Sequence, residues 1–171
     1  GKPGAKKLML DAHLDQIGFV ITEVMEEGFC RFIGMGVDQR MLLGSELTVL
    51  TRSGPITAVV SCIPPHLQNP GDNKKSVPIE EMVLDLGMSG EQARQLVRVG
   101  DYAAFSGETF ALQNDLICGR SMDDRACFVT LLRAAELLKD KELDVDLYIM
   151  GSTREEVSGA GAKAGTFAID P

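Results

Sequence analysis

Two short apolar segments at opposite ends of the sequence constrain the fold more than any other feature. Residues 8–12 and 145–150 have the length and composition of buried β-strands, and a helical pattern of apolar residues precedes the second of them. The order of strand, helix and strand is typical of an α/β domain. The natural partner of residues 145–150 is the first strand, although most of the chain separates the two. We therefore expect an α/β domain that is interrupted by a second unit.

The intervening segment, residues 17–110, is predicted to be a small β-barrel or sandwich. Its expected strands are short and are separated by turns that form hairpins; they are residues 17–24, 29–33, 46–51, 56–62, 79–86 and 99–105. Ser89 and Gln92 have capping-box spacing, which predicts a short helix after Ser89. Residues 67–77 are polar and are predicted to form a mobile loop.

The last third of the sequence predicts helices. Apolar residues recur at helical spacing, so one face of a helix is expected to be buried, and Asp123 or Asp124 is expected to cap its start. The residues of this face are Phe128, Leu131, Leu132, Ala135 and Leu138. Residues 153–165 are predicted to form a turn rich in Gly and Ala and then to begin another helix. The predicted domains are an α/β domain of residues 1–16 and 111–171 and an inserted β unit of residues 17–110.

Composition excludes several classes of partner. The formal net charge of −8 and the pI of 4.8 are unfavourable for binding a phosphate backbone, so we expect no nucleic-acid partner. No apolar run reaches the roughly 18 residues that span a bilayer, so we expect no membrane partner. The cysteines lack metal-binding spacing and are predicted to be small buried residues of a cytoplasmic protein; they are Cys30, Cys62, Cys118 and Cys127. Both ends of the sequence are expected to lie inside a longer chain.

The motif His13-Leu14-Asp15 directly follows the first predicted strand. Residues i and i+2 of an extended chain project to the same side. Imidazole is a good zinc or cobalt ligand, and a carboxylate often holds its other ring nitrogen. The motif is therefore a candidate metal ligand with its supporting carboxylate. The alternative is a surface histidine beside a turn-forming aspartate.

Two acidic motifs follow later in the chain. Asp123-Asp124 is favoured at a helix start by capping and by the helix dipole, but one of these carboxylates could also bridge two metal ions. Glu155-Glu156 follows the strand at residues 145–150, where open α/β sheets place their ligands. One glutamate could bind a metal ion while the other acts as a general base. The alternative is a solvated turn with two acidic side chains.

The three motifs occur in an order that is more specific than any one of them. They are His13-Leu14-Asp15-Gln16-Ile17-Gly18-Phe19, Gly119-Arg120-Ser121-Met122-Asp123-Asp124-Arg125 and Thr153-Arg154-Glu155-Glu156-Val157. In these motifs and their order, the whole chain resembles the M42 family of dinuclear metallo-aminopeptidases. That family includes glutamyl and tetrahedral aminopeptidases and proteins once named cellulases. The resemblance implies an α/β catalytic domain interrupted by a PDZ-like β-barrel. It also implies that the barrel mediates dimerisation, so we expect a homo-oligomer.

The resemblance assigns a role to each site residue. It implies that His13 binds one metal ion, that Glu156 binds the other and that Asp123 bridges both. Glu155 would be the general base, and Asp15 would orient His13 and tune its basicity. The expected cofactors are two divalent ions, zinc or cobalt with manganese also possible. The expected reaction is hydrolysis of the N-terminal residue from peptide substrates.

The sequence also departs from the family pattern. Arg120 and Ser121 stand where the family usually has Lys and Ala, and Ser158-Gly159 stands where it usually has Gly-Leu. The family also uses two more metal ligands, an Asp and a His, that have no counterpart in these 171 residues. Because a site with an incomplete ligand set binds metal weakly, we expect the parent protein to be the active enzyme and this chain alone to be inactive.

Two other functions remain open from the sequence. Residues 17–110 could be a non-catalytic module for dimerisation or peptide binding, because exposed strand edges can pair with a partner strand. A glycoside hydrolase is a more remote alternative. It requires two carboxylates on opposite sides of a sugar, whereas Glu155 and Glu156 are adjacent, and the chain has no Trp on which a sugar would stack.

Overall fold

The computed structural model describes residues 1–67 and 76–171 of the chain. The predicted loop at residues 67–77 falls almost entirely on residues 68–75, which lie outside the described residues. The chain divides into two compact units, which are residues 1–16 with 109–171 (the α/β unit) and residues 17–108 (the barrel unit). In the described part of the chain, no helix has both the length and the apolar character needed to cross a membrane.

The strands of the α/β unit are β1 (Lys6–His13), β8 (Phe110–Ala111), β9 (Ile117–Cys118) and β10 (Val145–Ser152), and its helices are α2 (Met122–Leu138) and α3 (Ala160–Ile169). The strands of the barrel unit are β2 (Gly18–Val24), β3 (Cys30–Met35), β4 (Glu46–Thr51), β5 (Gly54–Ser61), β6 (Val83–Asp85) and β7 (Tyr102–Phe105), and its helix is α1 (Gly90–Leu96).

The first strand pairs with the last, as the apolar segments predict. β1 and β10 are parallel over their full length, and Leu8 lies opposite Leu147 while His13 lies opposite Ser152. Because the strands are parallel, their carboxyl ends meet at the same edge of the sheet. The residues that follow His13 and Ser152 are therefore brought together, and this edge carries the candidate site.

The barrel unit confirms the β-barrel prediction. Its strands close in the order β2-β3-β6-β5-β4-β7 around a core of alternating apolar residues. Phe19 is fully buried there and contacts Phe32 and Phe105 edge to face, with ring centroids 5.5 and 5.3 Å apart. Burial of each large apolar side chain contributes about 1.5–3 kcal/mol. The core therefore gives this unit a stable interior of its own.

Local sequence signals explain some elements of the barrel unit and not others. Helix α1 begins at the predicted capping box, since Ser89 and Gln92 exchange both capping hydrogen bonds.

The strand expected at residues 79–86 is wrong in its first half. Ile79–Glu81 forms a 3₁₀ turn, in which the N–H of Glu81 donates to the carbonyl of Pro78. Because proline fixes φ near the value that such a turn requires, it starts a turn here, and pairing begins only at β6.

The strand expected at residues 99–105 is shorter than predicted. β7 begins only at Tyr102, since Asp101 closes a turn by donating its N–H to the carbonyl of Arg98. The hairpin of β8 and β9 was not predicted at all. Its turn contains Asn114 and Asp115, which have φ values of 59° and 60°. Asparagine and aspartate adopt this left-handed region more readily than most other residues. The asparagine and aspartate between apolar neighbours were the signal that could have revealed it.

Two burial predictions need correction. The predicted apolar face of α2 is only partly buried: Leu132, at its edge, is 46% exposed, and the other four residues of the face are half-buried. Of the cysteines, only Cys30 is buried, whereas Cys118 and Cys127 are exposed. Cys118 ends a two-residue strand and Cys127 faces outward on α2, so neither has a core to enter.

Candidate metal centre

The candidate site lies at the carboxyl ends of β1 and β10. His13 is the last residue of β1 and is only 7% exposed. Its neighbour Leu14 extends the pairing by one bond, since its N–H donates to the carbonyl of Ser152 at 2.8 Å. β1 and β10 therefore end side by side, and the residues that follow them enter the same region. These residues are Asp15 after β1 and Glu155 and Glu156 after β10.

The two ring nitrogens of His13 have different surroundings. Nδ1 lies 3.1 Å from the backbone carbonyl oxygen of Asp15 and 3.6 Å from its Oδ1. Both oxygens are acceptors at neutral pH, so we assign the hydrogen to Nδ1. The lone pair of Nε2 then points to the other side of the ring, where Asp123 Oδ1 lies at 3.0 Å and Glu155 Oε2 at 3.7 Å.

The site concentrates groups that accept positive charge. Burial lowers the pKa of His13, but hydrogen bonds to Asp123 and to the Asp15 carbonyl and the charges of Glu155 and Asp15 outweigh it, so the pKa is raised. Burial also raises the pKa of Glu156; the charge of His13 opposes this shift, and the neighbouring carboxylates add to it. Burial is thus the largest cause of the Glu156 shift and opposes the His13 shift, but the neighbouring carboxylates raise both pKa values.

Asp123 reaches His13 because it leaves the helical path. It lies in the first turn of α2 but has φ −83° and ψ 108°, which are extended values, and its peptide bond to Asp124 is cis. Asp124 is also non-helical, with φ −122° and ψ 25°, so regular helical geometry begins only after these two residues. The capping role of Asp123 or Asp124 therefore stays a prediction. The Asp123 carboxylate contacts His13, although the Asp123 side chain as a whole is 89% exposed. Asp124 instead accepts a hydrogen bond from the thiol of Cys127.

Glu155 and Glu156 are held by their backbones. The N–H of Glu155 donates to Asp15 Oδ1 at 3.2 Å, and the N–H of Glu156 donates to Asp15 Oδ2 at 3.3 Å. The preceding residue, Arg154, has φ 63°, a left-handed conformation. The turn therefore directs two successive side chains towards the region that His13 faces.

The donor set fits a divalent transition metal. His13, Glu155 and Glu156 each offer one ligand atom, and these three atoms lie within 4.8 Å of one another. Asp123 Oδ1 is outside that group of three but contacts His13 Nε2 directly at 3.0 Å. One imidazole nitrogen with several carboxylate oxygens suits zinc, cobalt or manganese. All five residues singled out in the sequence thus lie together, and Asp15 lies behind the others as a support.

Two supporting contacts were not anticipated from the sequence. Arg125 Nε donates to the carbonyl of Leu14 at 2.9 Å, and the hydroxyl of Ser121 hydrogen-bonds to Oε1 of Gln16. Both contacts join the start of α2 to the segment that follows His13. The residues belong to the motifs already described, but spacing alone could not reveal which of their atoms would meet across more than a hundred residues of sequence.

Comparisons with known proteins agree with this geometry. A family model described as M42 glutamyl aminopeptidase matches residues 1–171. Lysyl aminopeptidase of Pyrococcus furiosus is 30% identical over 174 residues, covering 99% of this chain and 50% of that protein. A TET aminopeptidase from a marine sediment Thaumarchaeota archaeon is 30% identical with a TM-score of 0.91, covering 95% of this chain and 48% of that one.

A second similar structure is the TET1 peptidase of Pyrococcus horikoshii, described as assembling into a tetrahedron or a large octahedral shell. It is 34% identical with a TM-score of 0.86, and the match covers 98% of this chain and 51% of that one. The chain spans about half the length of the curated relatives it matches. Since the family model covers every residue and the mixed α/β architecture with its six-stranded barrel superposes on such peptidases, the chain belongs to the M42 glutamyl aminopeptidase family.

Proposed function

We propose that the chain is part of a metal-dependent aminopeptidase and that the α/β unit carries the ligands and the general base of its active site. One observation supports this most directly. His13 Nε2 faces carboxylate oxygens of Asp123 and Glu155 at 3.0 and 3.7 Å, an arrangement that is stabilised by a proton on Nε2 or by a metal ion in its place. The peptidase names of the relatives support hydrolysis of peptide bonds as the reaction.

The proposed ligand roles follow the family resemblance. His13 would hold one divalent ion, Glu156 would hold a second, and Asp123, which has two carboxylate oxygens, would bridge them. When bound, such ions lower the pKa of water and polarise a scissile carbonyl group. Zinc, cobalt and manganese all tolerate this mixture of imidazole and carboxylate ligands.

Glu155 is the proposed general base. Its side chain is 54% exposed and reaches to 3.7 Å from His13 Nε2, so it lies beside the ligands while remaining open to a substrate. A carboxylate placed there can accept a proton from the attacking water and later deliver it to the leaving amine. Asp15 would keep the hydrogen of His13 on Nδ1, which leaves Nε2 free to bind a metal ion.

The test counts metal ions and follows turnover in the same preparations. The number of zinc or cobalt ions bound per chain is measured for the unmodified protein and for Asp123→Ala, together with hydrolysis of aminoacyl-p-nitroanilides. Asp140→Ala is the matched control, since Asp140 is exposed in the turn just beyond the other end of α2. Loss of metal in Asp123→Ala alone supports the proposal. Retention of metal in that variant, or release of reducing sugar from a β-glucan without peptidase activity, contradicts it.

The ligand set on these residues is incomplete for a dinuclear site. The resemblance implies two further ligands, an Asp and a His, and the other histidine of the chain, His66, lies in the barrel unit. We therefore include in the proposal that residues 1–171 alone bind metal weakly and turn over little peptide. Activity of the isolated chain above that of its Glu155→Ala variant would show this part to be wrong.

The barrel unit is proposed to be a PDZ-like insertion that mediates self-association. Apolar side chains lie in register across the outside of five of its strands, since Val20 is paired with Ile33 and Tyr102, Tyr102 with Leu50, and Leu50 with Pro55. We call these five residues the barrel stripe. Ile33, Leu50 and Tyr102 are each at least half exposed. The shell-forming relative supports a homo-oligomer built from such a face.

A further inference from the structure

The carboxylate of Asp15 contacts more than His13. Its two oxygens separately accept the backbone N–H groups of Glu155 and Glu156, at 3.2 and 3.3 Å, across about 140 residues of sequence. We propose that Asp15 is a positioning residue for the turn that presents Glu155 and Glu156, in addition to any effect it has on His13. This inference rests on the proposed function, because the turn matters for catalysis only if those two side chains do.

The backbone of the turn needs such a support. Arg154 has φ 63°, and the Cβ atom of any residue other than glycine makes this left-handed region unfavourable. On one side of Arg154 its carbonyl accepts the N–H groups of Ser158 and Gly159, at 3.1 and 2.8 Å. On the other side the next two N–H groups have the carboxylate of Asp15 as their acceptor.

The geometry is that of a small anion site made of main-chain donors. The successive N–H groups that follow a left-handed residue face the same side and favour a negatively charged group there. A carboxylate accepts such bonds more strongly than a neutral amide does. Asp15 is only 25% exposed, so water competes weakly for its oxygens. The charge of Asp15 therefore offsets the unfavourable backbone conformation at Arg154.

The arrangement couples the two halves of the site through one residue, Asp15. The carbonyl of Asp15 lies 3.1 Å from His13 Nδ1 and its carboxylate holds the glutamate turn. The distance between His13 Nε2 and Glu155 Oε2, 3.7 Å, is thus fixed by a residue that touches neither of these two atoms. A substitution of Asp15 is expected to move the glutamates even where His13 stays in place.

The first test uses metal-free protein. Asp15→Asn preserves the size of the side chain but removes its charge and one of its two acceptors. Amide hydrogen exchange at Glu155 and Glu156 is expected to become at least about tenfold faster, since a hydrogen bond to a charged group contributes about 1.5–3 kcal/mol. Asp11→Asn, an exposed change in β1, is the control and should leave both amides unchanged. Unchanged exchange in Asp15→Asn would overturn the inference.

The second test is rescue at Arg154. Glycine adopts the left-handed region without strain, so Arg154→Gly should restore much of the Co²⁺ affinity and the visible Co²⁺ spectrum that Asp15→Asn loses. Arg154→Gln removes the same charge but keeps the Cβ atom, and it should restore neither. If Asp15 acted only through His13, neither substitution at Arg154 would matter, and absence of rescue by glycine would count against the inference.

The two tests separate this inference from the proposed function. If the amides of Glu155 and Glu156 respond to Asp15→Asn while the unmodified protein binds no Co²⁺, the positioning role stands and the metal proposal fails. If Co²⁺ binds normally and the amides do not respond, the metal proposal stands and the positioning role fails.

Discussion

His13 Nε2 lies 3.0 Å from Oδ1 of Asp123, although 110 residues and the whole barrel unit separate the two in sequence. The contact exists because β1 ends at His13 while the first turn of α2 departs from helical geometry at Asp123. Neither element would place its side chain there by itself. The contact is therefore the observation that most directly supports the proposed metal site at this edge of the sheet.

We predict that Asp123→Asn weakens the binding of Co²⁺ or Zn²⁺ by at least about a hundredfold. Loss of a residue that merely supports a ligand already weakens metal affinity about 10–100-fold, and Asp123 is proposed to be a ligand itself. Isothermal titration of the metal-free protein measures the effect. Asp124→Asn is a close control, because its carboxylate faces Cys127 and not His13. Equal losses of metal affinity in Asp123→Asn and Asp124→Asn would mean that binding depends on the total charge at the start of α2 and not on Asp123 as a ligand.

The sequence predicts those parts of the fold that are encoded locally or by strong apolar patterns. The pairing of β1 with β10 follows from two apolar runs, and helix α1 from the capping box at Ser89. The hairpin of β8 and β9 escapes prediction because strands of two residues have no periodicity. The 3₁₀ turn at Ile79–Glu81 escapes because its apolar and acidic residues also fit a strand.

The same division applies to the site. Residue types and their order indicated which side chains would meet, since metal sites need imidazole and carboxylate groups at strand ends. They did not indicate that the Asp15 carboxylate would accept hydrogen bonds from the backbone of Glu155 and Glu156. Every residue except proline has a backbone N–H, so the identity of the donor residue does not reveal such a bond. Only the strained φ of Arg154, visible in the structure, shows why that support is needed.

We predict an order of reactivity among the cysteine residues. Burial, with the charge of Asp101, raises the pKa of the Cys30 thiol to about 11, so Cys30 should react with a thiol reagent only when the barrel unfolds. Cys118 and Cys127 are exposed, but a hydrogen bond to Asp124 and its negative charge raise the pKa of the Cys127 thiol. Labelling followed by peptide mass spectrometry should therefore detect Cys118 first.

The reactivity of Cys127 is expected to depend on its acidic neighbour. Asp124→Asn removes the charge that disfavours the thiolate, so labelling of Cys127 at pH 7–8 should become a few times faster while that of Cys118 stays the same. If labelling of both cysteines accelerates together, the substitution has loosened α2 and the explanation from charge is wrong.

We predict a pH effect at Asp38 in the barrel unit. Hydrogen bonds from Arg40 lower the pKa of Asp38 to about 2 from its ordinary value of 3.8. The folded-state pKa is below the unfolded one, so the stabilising contribution is present above about pH 4 and is lost as the pH falls towards 2. Arg40→Gln should return the pKa of Asp38 towards 3.8 in an NMR titration of its carboxyl carbon, whereas Arg52→Gln should not.

The barrel stripe is predicted to carry the self-association of the chain. Tyr102→Glu places a charge in the middle of the stripe, where burial against a partner would leave it without compensation, so the dissociation constant should rise at least about thirtyfold. Light scattering coupled to size-exclusion chromatography over a range of concentrations gives the mass. Thr57→Glu, an exposed change elsewhere on β5, is the control. A Tyr102→Glu variant with unchanged mass would place the interface on another face.

Substitution of Glu155 separates metal binding from proton transfer. Glu155→Gln keeps the size of the side chain and the backbone N–H that donates to Asp15, but an amide cannot accept the proton. We expect kcat on aminoacyl-p-nitroanilides to fall about 10²–10⁴-fold, with KM and the number of bound metal ions little changed. The kinetic measurement uses whichever form of the protein has peptidase activity, residues 1–171 alone or the longer parent protein. Glu156→Gln, at a proposed ligand, should instead reduce metal content, and if both variants lose metal equally, Glu155 is a ligand rather than the base.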